Sequence, residues 1–181
     1  MAQQPAAGQG SERLYFAFSP FLEPVAFERW RKASAFPKLQ LPEGKIAEAV
    51  DVDLLFNSPS EKWKGRIAGL TRSPGKTVLG KLYRIRAEDW SAIQDMEGAR
   101  SGEFVELAIQ VKVDGRQVEA IGFATNPARA STAGQVSEEY AEALARGAEA
   151  AGLPKAYVDK LKAEAMILER VQGAGRKLGL K

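Results

Sequence analysis

Thr77-Val78-Leu79-Gly80-Lys81-Leu82-Tyr83, followed downstream by Ile93-Gln94-Asp95-Met96-Glu97-Gly98, is the stretch whose reading decides the fold of this chain. Val78 to Ile85 reads as a strand, introduced by a turn at Pro74-Gly75. Ala87 to Met96 reads as a short helix that opens with Glu88 and Asp89 and closes near Gly98. Its apolar positions are Trp90 and Ile93. Glu97 falls four residues after Ile93 and seven after Trp90, so the three share a face. A carboxylate on a core-facing stripe is costly unless it finds a partner. It also stands in the last turn, where the helix dipole disfavours negative charge. Desolvation and the dipole both push its pKa upward, toward the range of an effective general base. The alternative is an ordinary glutamate that swings out to solvent where the helix frays.

Outward from this segment, the middle of the chain is rich in strands. Leu14 to Phe18 is a short apolar and aromatic run, as a buried strand would be. A helix follows from Pro24 to about Lys32, with proline at its first position. Val50 to Phe56 reads as a strand and Gly65 to Leu70 as a weaker one. Val105, Leu107, Ile109, Val111 and Val113 alternate cleanly, and Asp114-Gly115 signals a hairpin into Val118 to Thr125. Two helices close the pattern. Ser137 caps the first, which Gly152 and Pro154 stop; the second runs from Lys155 to Val171. The reading is one α+β domain over 13–169, with a disordered leader at 1–12 and a basic tail at 170–181.

Composition excludes more than it suggests. The 181 residues contain no cysteine and no histidine, which removes disulfides, thiolate metal sites, a cysteine nucleophile and every histidine-based triad or metal site. Acid–base chemistry must therefore use Asp, Glu, Lys or Tyr. A net charge of +3, scattered along the chain, does not point to nucleic acid. No run of about 18 apolar residues is present, so no membrane helix is expected. The N-terminus has neither a basic start nor an apolar stretch, so it is not read as a signal peptide, and the expected location is cytoplasmic. Gly69 to Lys76 superficially imitates a phosphate-binding loop, but five residues separate its glycines instead of four and a strand follows instead of a helix.

In order and spacing these segments resemble the γ-glutamylcyclotransferase-like family. Thr77 to Tyr83 is similar to its V-x-G-x-L/V-Y/W strand, and Ile93 to Gly98 to its L-D-x-x-E-G segment. Ser101-Gly102-Glu103-Phe104 stands where relatives have S-G-x-Y. Ser137-Glu138-Glu139-Tyr140 and Gly147 through Gly152-Leu153-Pro154, with Tyr157, resemble the late S-x-x-Y … G-A-x-x-x-G-L-P-x-x-Y region. The likeness spans Leu14 to Ala163. It implies a small, mostly antiparallel β-barrel flanked by helices, with a ligand cavity at one end. It also implies release of 5-oxoproline from γ-glutamyl compounds without metal or cofactor. The substrate's own α-amine attacks its γ-carbonyl, and the glutamate at Glu97 carries the proton. Ring closure is intramolecular, so positioning supplies much of the acceleration.

The chain departs from the family pattern in one loop and at two single positions. Where relatives carry Y-G-S-N-L after the first strand, this chain has Phe18-Ser19-Pro20-Phe21-Leu22. Pro20 has no N–H to offer, Ser19 restricts a backbone that glycine leaves free, and Phe21 replaces an amide with an apolar ring. Phe104 and Phe123 each stand where relatives have tyrosine, whereas Tyr140 is retained. These residues, with Glu97, are the candidate site. Its expected ligand is a γ-glutamyl or amide-like small molecule of more apolar character. The alternative is a catalytically silent module that uses the pocket for a ligand or a protein partner.

Overall fold

The structure, a computed structural model, describes residues 11–177. Five strands form a closed barrel in the order β1-β3-β2-β4-β5, where β1 is Arg13–Ala17, β2 Lys45–Ser60, β3 Gly65–Ile85, β4 Phe104–Val113 and β5 Arg116–Thr125. Neighbouring strands are antiparallel except at the seam, where β1 meets β5 in parallel through Tyr15 and Ile121. Four helices flank the barrel: α1 Pro24–Ala33, α2 Trp90–Met96, α3 Glu138–Ala150 and α4 Lys155–Lys177. The α+β barrel inferred from the sequence is the fold observed. Among the described residues no helix is long and apolar enough to cross a membrane.

The local signals act where the sequence placed them. Asp114 and Gly115 both adopt positive φ, 49° and 71°, and join β4 to β5 in the tight turn that such a pair favours. Ile109 and Val111 are buried on the alternating face of β4. Ser137 Oγ accepts the N–H of Tyr140 at 3.2 Å and so caps α3.

Three expectations need correction. Gly65 to Leu70 and Val78 to Ile85 are not separate strands but parts of the 21-residue β3. Pro74-Gly75 does not reverse the chain. Val50 pairs with Thr77 and Val52 with Arg72, so residues 73–76 bulge opposite Asp51 alone. Gly75 has φ +79°, Asp51 has φ 56°, and the Gly75 N–H donates to Asp51 Oδ1 at 2.9 Å. The turn chemistry was read correctly, but pairing on both sides keeps the strand going. Finally, α4 continues to Lys177, past the end expected at Val171. Glycines there cost only about 1 kcal/mol each and no proline interrupts. The expected leader at 1–12 lies outside the described residues except for its last two, as do the last four residues of the expected tail.

Gly80, in the stretch that decided the fold, is required by close approach. A Cβ built there would lie 2.2 Å from the carbonyl oxygen of Ala17 and 2.7 Å from the ring of Phe16. This is where β1 leaves β3 and enters the loop at Ser19. Gly80→Ala is therefore expected to lower stability by about 2–3 kcal/mol in urea unfolding, since backbone must move to admit the methyl group. A loss below about 0.5 kcal/mol would show that β1 is not pinned here.

Candidate active site

Glu97 follows α2 directly, with φ −87° and ψ 5°. Its N–H still donates to the Ile93 carbonyl at 3.0 Å, and Gly98, at φ +76°, turns the chain away. Trp90, Ile93 and Met96 on α2 are buried. The apolar face read from the sequence is thus the face that packs, and it carries Glu97 with it to one end of the barrel.

Two hydroxyls meet the carboxylate there. Tyr15 Oη, on β1 and 82 positions away in the chain, donates to Glu97 Oε1. Ser19 Oγ donates to the same oxygen at 3.0 Å. Among the described residues Oε2 has no hydrogen-bond partner, and Glu97 lines the cleft. Burial raises the pKa of Glu97 above the ordinary carboxylate value, and the two hydroxyl donors pull it partly back. Tyr15 is pushed well up by burial and then by the negative charge of Glu97, so it remains a protonated donor. Its ring is held by Tyr83, stacked at 5.9 Å, and by the edge of Phe123 at 6.1 Å.

Tyr140 completes the polar floor. The Ala68 N–H donates to its hydroxyl oxygen at 3.0 Å, which leaves the hydroxyl proton to be given elsewhere. Burial drives its pKa upward, and the charge of Glu97 adds to that shift. The α3 cap sets its backbone, and Trp63, edge-on at 5.3 Å, sets its ring.

These groups open into a cleft of about 1550 Å³. Phe18, Ser19, Pro20, Phe21, Phe104, Phe123 and Tyr140 all line it with Glu97, as the sequence reading grouped them. Leu22 does not; it is buried and packs against Gly147 of α3. Residues Pro20–Leu22 form a single 3-10 turn in which the N–H groups of Leu22 and Glu23 bond the carbonyls of Ser19 and Pro20. Ser19, expected only to restrict the backbone, supplies a donor to Glu97. Arg29, Lys62, Glu103 and Arg129 also line the cleft, beside the rings. Tyr15 and Arg66 were not singled out by the sequence. One lies within an apolar strand and the other in an ordinary-looking charged stretch, so neither carries a local signal.

Comparisons with known proteins point one way. The AIG2-like family model matches residues 77–161. A γ-glutamylcyclotransferase of Mus musculus is 34% identical over 162 residues, covering 87% of this chain and 81% of the relative. The γ-glutamylcyclotransferase of Homo sapiens is 29% identical over 153 residues, covering 83% and 77%. A solved structure of a γ-glutamyl cyclotransferase, 25% identical, superposes with a TM-score of 0.69 over 84% of this chain and 88% of that one.

The hydroxyl pair makes a titration testable without any substrate. Tyr15→Phe removes a donor to the charged form of Glu97, so the carboxyl pKa should rise further. Carbon-detected NMR titration of the Glu97 side chain reads this directly, and an unchanged pKa would mean that Tyr15 does not hold the carboxylate.

Proposed function

Because this chain belongs to the γ-glutamylcyclotransferase family, we propose that it is an enzyme that cyclises the γ-glutamyl part of an amide and releases 5-oxoproline, with Glu97 as the proton carrier. The observation that supports this most is the one-sided hold on Glu97: both hydroxyls bond Oε1, and Oε2 is left to work in the cleft. The substrate's α-amine nitrogen attacks the γ-carbonyl carbon and a C–N bond forms. Glu97 takes a proton from that nitrogen, and the carbonyl oxygen gains negative charge. The hydroxyl proton of Tyr140 is the donor suited to that oxygen. As the carbonyl re-forms, the original amide C–N bond breaks, and Glu97 returns the proton to the departing amine. Protons and electrons balance within the two reacting groups.

A raised pKa suits this task, because the carboxylate accepts a proton more readily and then holds it until the departing amine takes it. The leaving side faces Phe21, Trp30 and Phe104 in the same cleft. Those rings favour an amine with an apolar substituent over one that carries a second carboxylate.

Glu97→Gln should lower the rate of 5-oxoproline release about a hundredfold or more while the fold persists. The sign of its effect on stability follows from the raised pKa. Between the unfolded and folded values the folded state holds more protons, so stability falls as pH rises through that window. The variant should melt at or above the wild-type temperature at pH 7, with the advantage vanishing below the ordinary carboxylate pKa. Turnover that survives the substitution would put the chemistry on another residue. If no γ-glutamyl compound is turned over by either protein, the silent binding module becomes the better reading.

Substrate choice is tested separately. γ-Glutamyl anilide should exceed glutathione and γ-glutamyl-amino acids in kcat/KM by about tenfold or more, the scale of one well-buried apolar group. Equal rates, or a preference for glutathione, would show that the aromatic wall does not receive the leaving amine.

A further inference from the structure

Arg66 lies on β3, paired in register with Pro59, and its N–H donates to the Gln135 carbonyl at 2.7 Å. The residue is only 6% exposed and lines the cleft that contains Glu97. Its Nε is buried with no hydrogen-bond partner, and among the described residues no ion pair involves it. A guanidinium taken from water without a carboxylate is a costly thing to keep. Burial depresses its pKa and no acid offsets that shift.

The other cations of the cleft do not share this condition. Arg29, Lys62 and Arg129 are exposed. Arg146 faces Glu23 at 3.7 Å and Glu142 at 4.0 Å. Lys62 lies over the rings of Phe21 and Trp63. Arg66 also stands close to the polar floor. Two residues further along β3, Ala68 holds the hydroxyl of Tyr140, and two strand residues span about 7 Å. The loop after β1, by contrast, offers an anion no positive charge, and among the described residues only the N–H groups of Ser19 and Phe21 are left there without a partner. Pro20 has no N–H, the Leu22 and Glu23 N–H groups bond within the turn, and the Ser19 hydroxyl is given to Glu97.

We propose that Arg66 is the carboxylate anchor of this cleft, its guanidinium holding the α-carboxylate of the γ-glutamyl group while the γ-carbonyl lies between Glu97 and Tyr140. The planar fork of arginine matches the two oxygens of a carboxylate, and a site closed from water strengthens the pair. Arg66 is a specificity-determining residue in this role: it fixes the end of the substrate that does not react, so that the α-amine reaches the carbonyl. The inference rests on the cyclotransferase reading, and its test separates the two.

Two substrates that differ only in the α-carboxylate provide that test: γ-glutamyl anilide, which yields 5-oxoproline, and 4-aminobutyryl anilide, which yields 2-pyrrolidinone. Arg66→Gln should reduce kcat/KM for the first by about 10–100-fold, mostly through KM. It should change the second by less than about threefold. Arg66→Lys should restore part of the loss, because it returns the charge without the fork. Equal losses on both substrates, or no loss on either, would overturn the proposal. If the wild-type protein turns over neither anilide, the cyclotransferase reading fails, and NMR-detected binding of 5-oxoproline against 2-pyrrolidinone decides the anchor alone. Selective binding of 5-oxoproline that Arg66→Gln abolishes supports it. Failure of the wild type to discriminate, or retained selectivity in the variant, overturns it. Circular dichroism of both variants checks that the fold persists.

Discussion

A carboxylate withdrawn from water needs donors, and the end of this barrel is built around bringing two hydroxyls to one oxygen of Glu97. The penalty for burying an unpaired carboxylate is several kcal/mol, more than most single contacts return. Tyr15 and Ser19 reduce it by donating to Oε1. Neither is near Glu97 in sequence, so the bond exists only when the barrel closes and β1 lies where its Tyr15 faces inward. The requirement then spreads outward. Tyr15 must be fixed by Tyr83 and Phe123, β1 must end against the glycine at position 80, and the loop after it must bring Ser19 back over the carboxylate.

The second support comes from the long β2–β3 hairpin. Bulges at Asp51 and beyond Phe56 break its register. Bulges increase local twist and bend a strand, and here the two arms extend beyond the barrel to the cleft. The start of β3 is fastened to the entry of α3, where a Cβ on Gly65 would lie 2.3 Å from the Gln135 carbonyl and the Arg66 N–H bonds the same oxygen. That contact sets Ala68 against Tyr140 and Arg66 against the cavity. Four parts of the fold therefore meet at one site: the β1 end, the hairpin arms, the end of α2 and the first turn of α3.

How much of this was legible depends on whether a residue's role was local. Ser137 as a cap, Asp114-Gly115 as a hairpin turn and the Trp90–Ile93–Glu97 face are local patterns, and each is visible in a few residues. Pro74-Gly75 was half legible. The positive φ that glycine permits is there, yet whether the chain reverses or bulges is decided by pairing with β2. Tyr15 was not legible at all. In Leu14-Tyr15-Phe16-Ala17-Phe18 it is one aromatic among three, and only its partner 82 residues away distinguishes its hydroxyl from an ornament on a core ring. Ser19 was noticed for the glycine it replaces, but its hydroxyl acts through a residue that no spacing rule connects to it. Leu22 was grouped with the loop because it aligns with the end of the Y-G-S-N-L segment, although a 3-10 turn sends successive side chains to different sides.

Glu97 and Arg66 both line the cleft, and burial disfavours the charge of each. Glu97 is half-buried and Arg66 buried, and among the described residues neither takes part in an ion pair. In a structure selected only for stability, such groups would be replaced by apolar residues or brought together, since a buried pair loses less than two separate charges. Hydroxyls soften the burial of Glu97, but neither residue meets an opposite charge within the protein, and such a gap is expected where a ligand supplies the charge. A γ-glutamyl group carries an ammonium or amine and a carboxylate on one carbon, with its amide carbonyl two methylenes away. That one carbon carries the opposite charge that each of these two residues lacks. On the proposed reading the ligand, and not the fold, supplies the counter-charge at both residues.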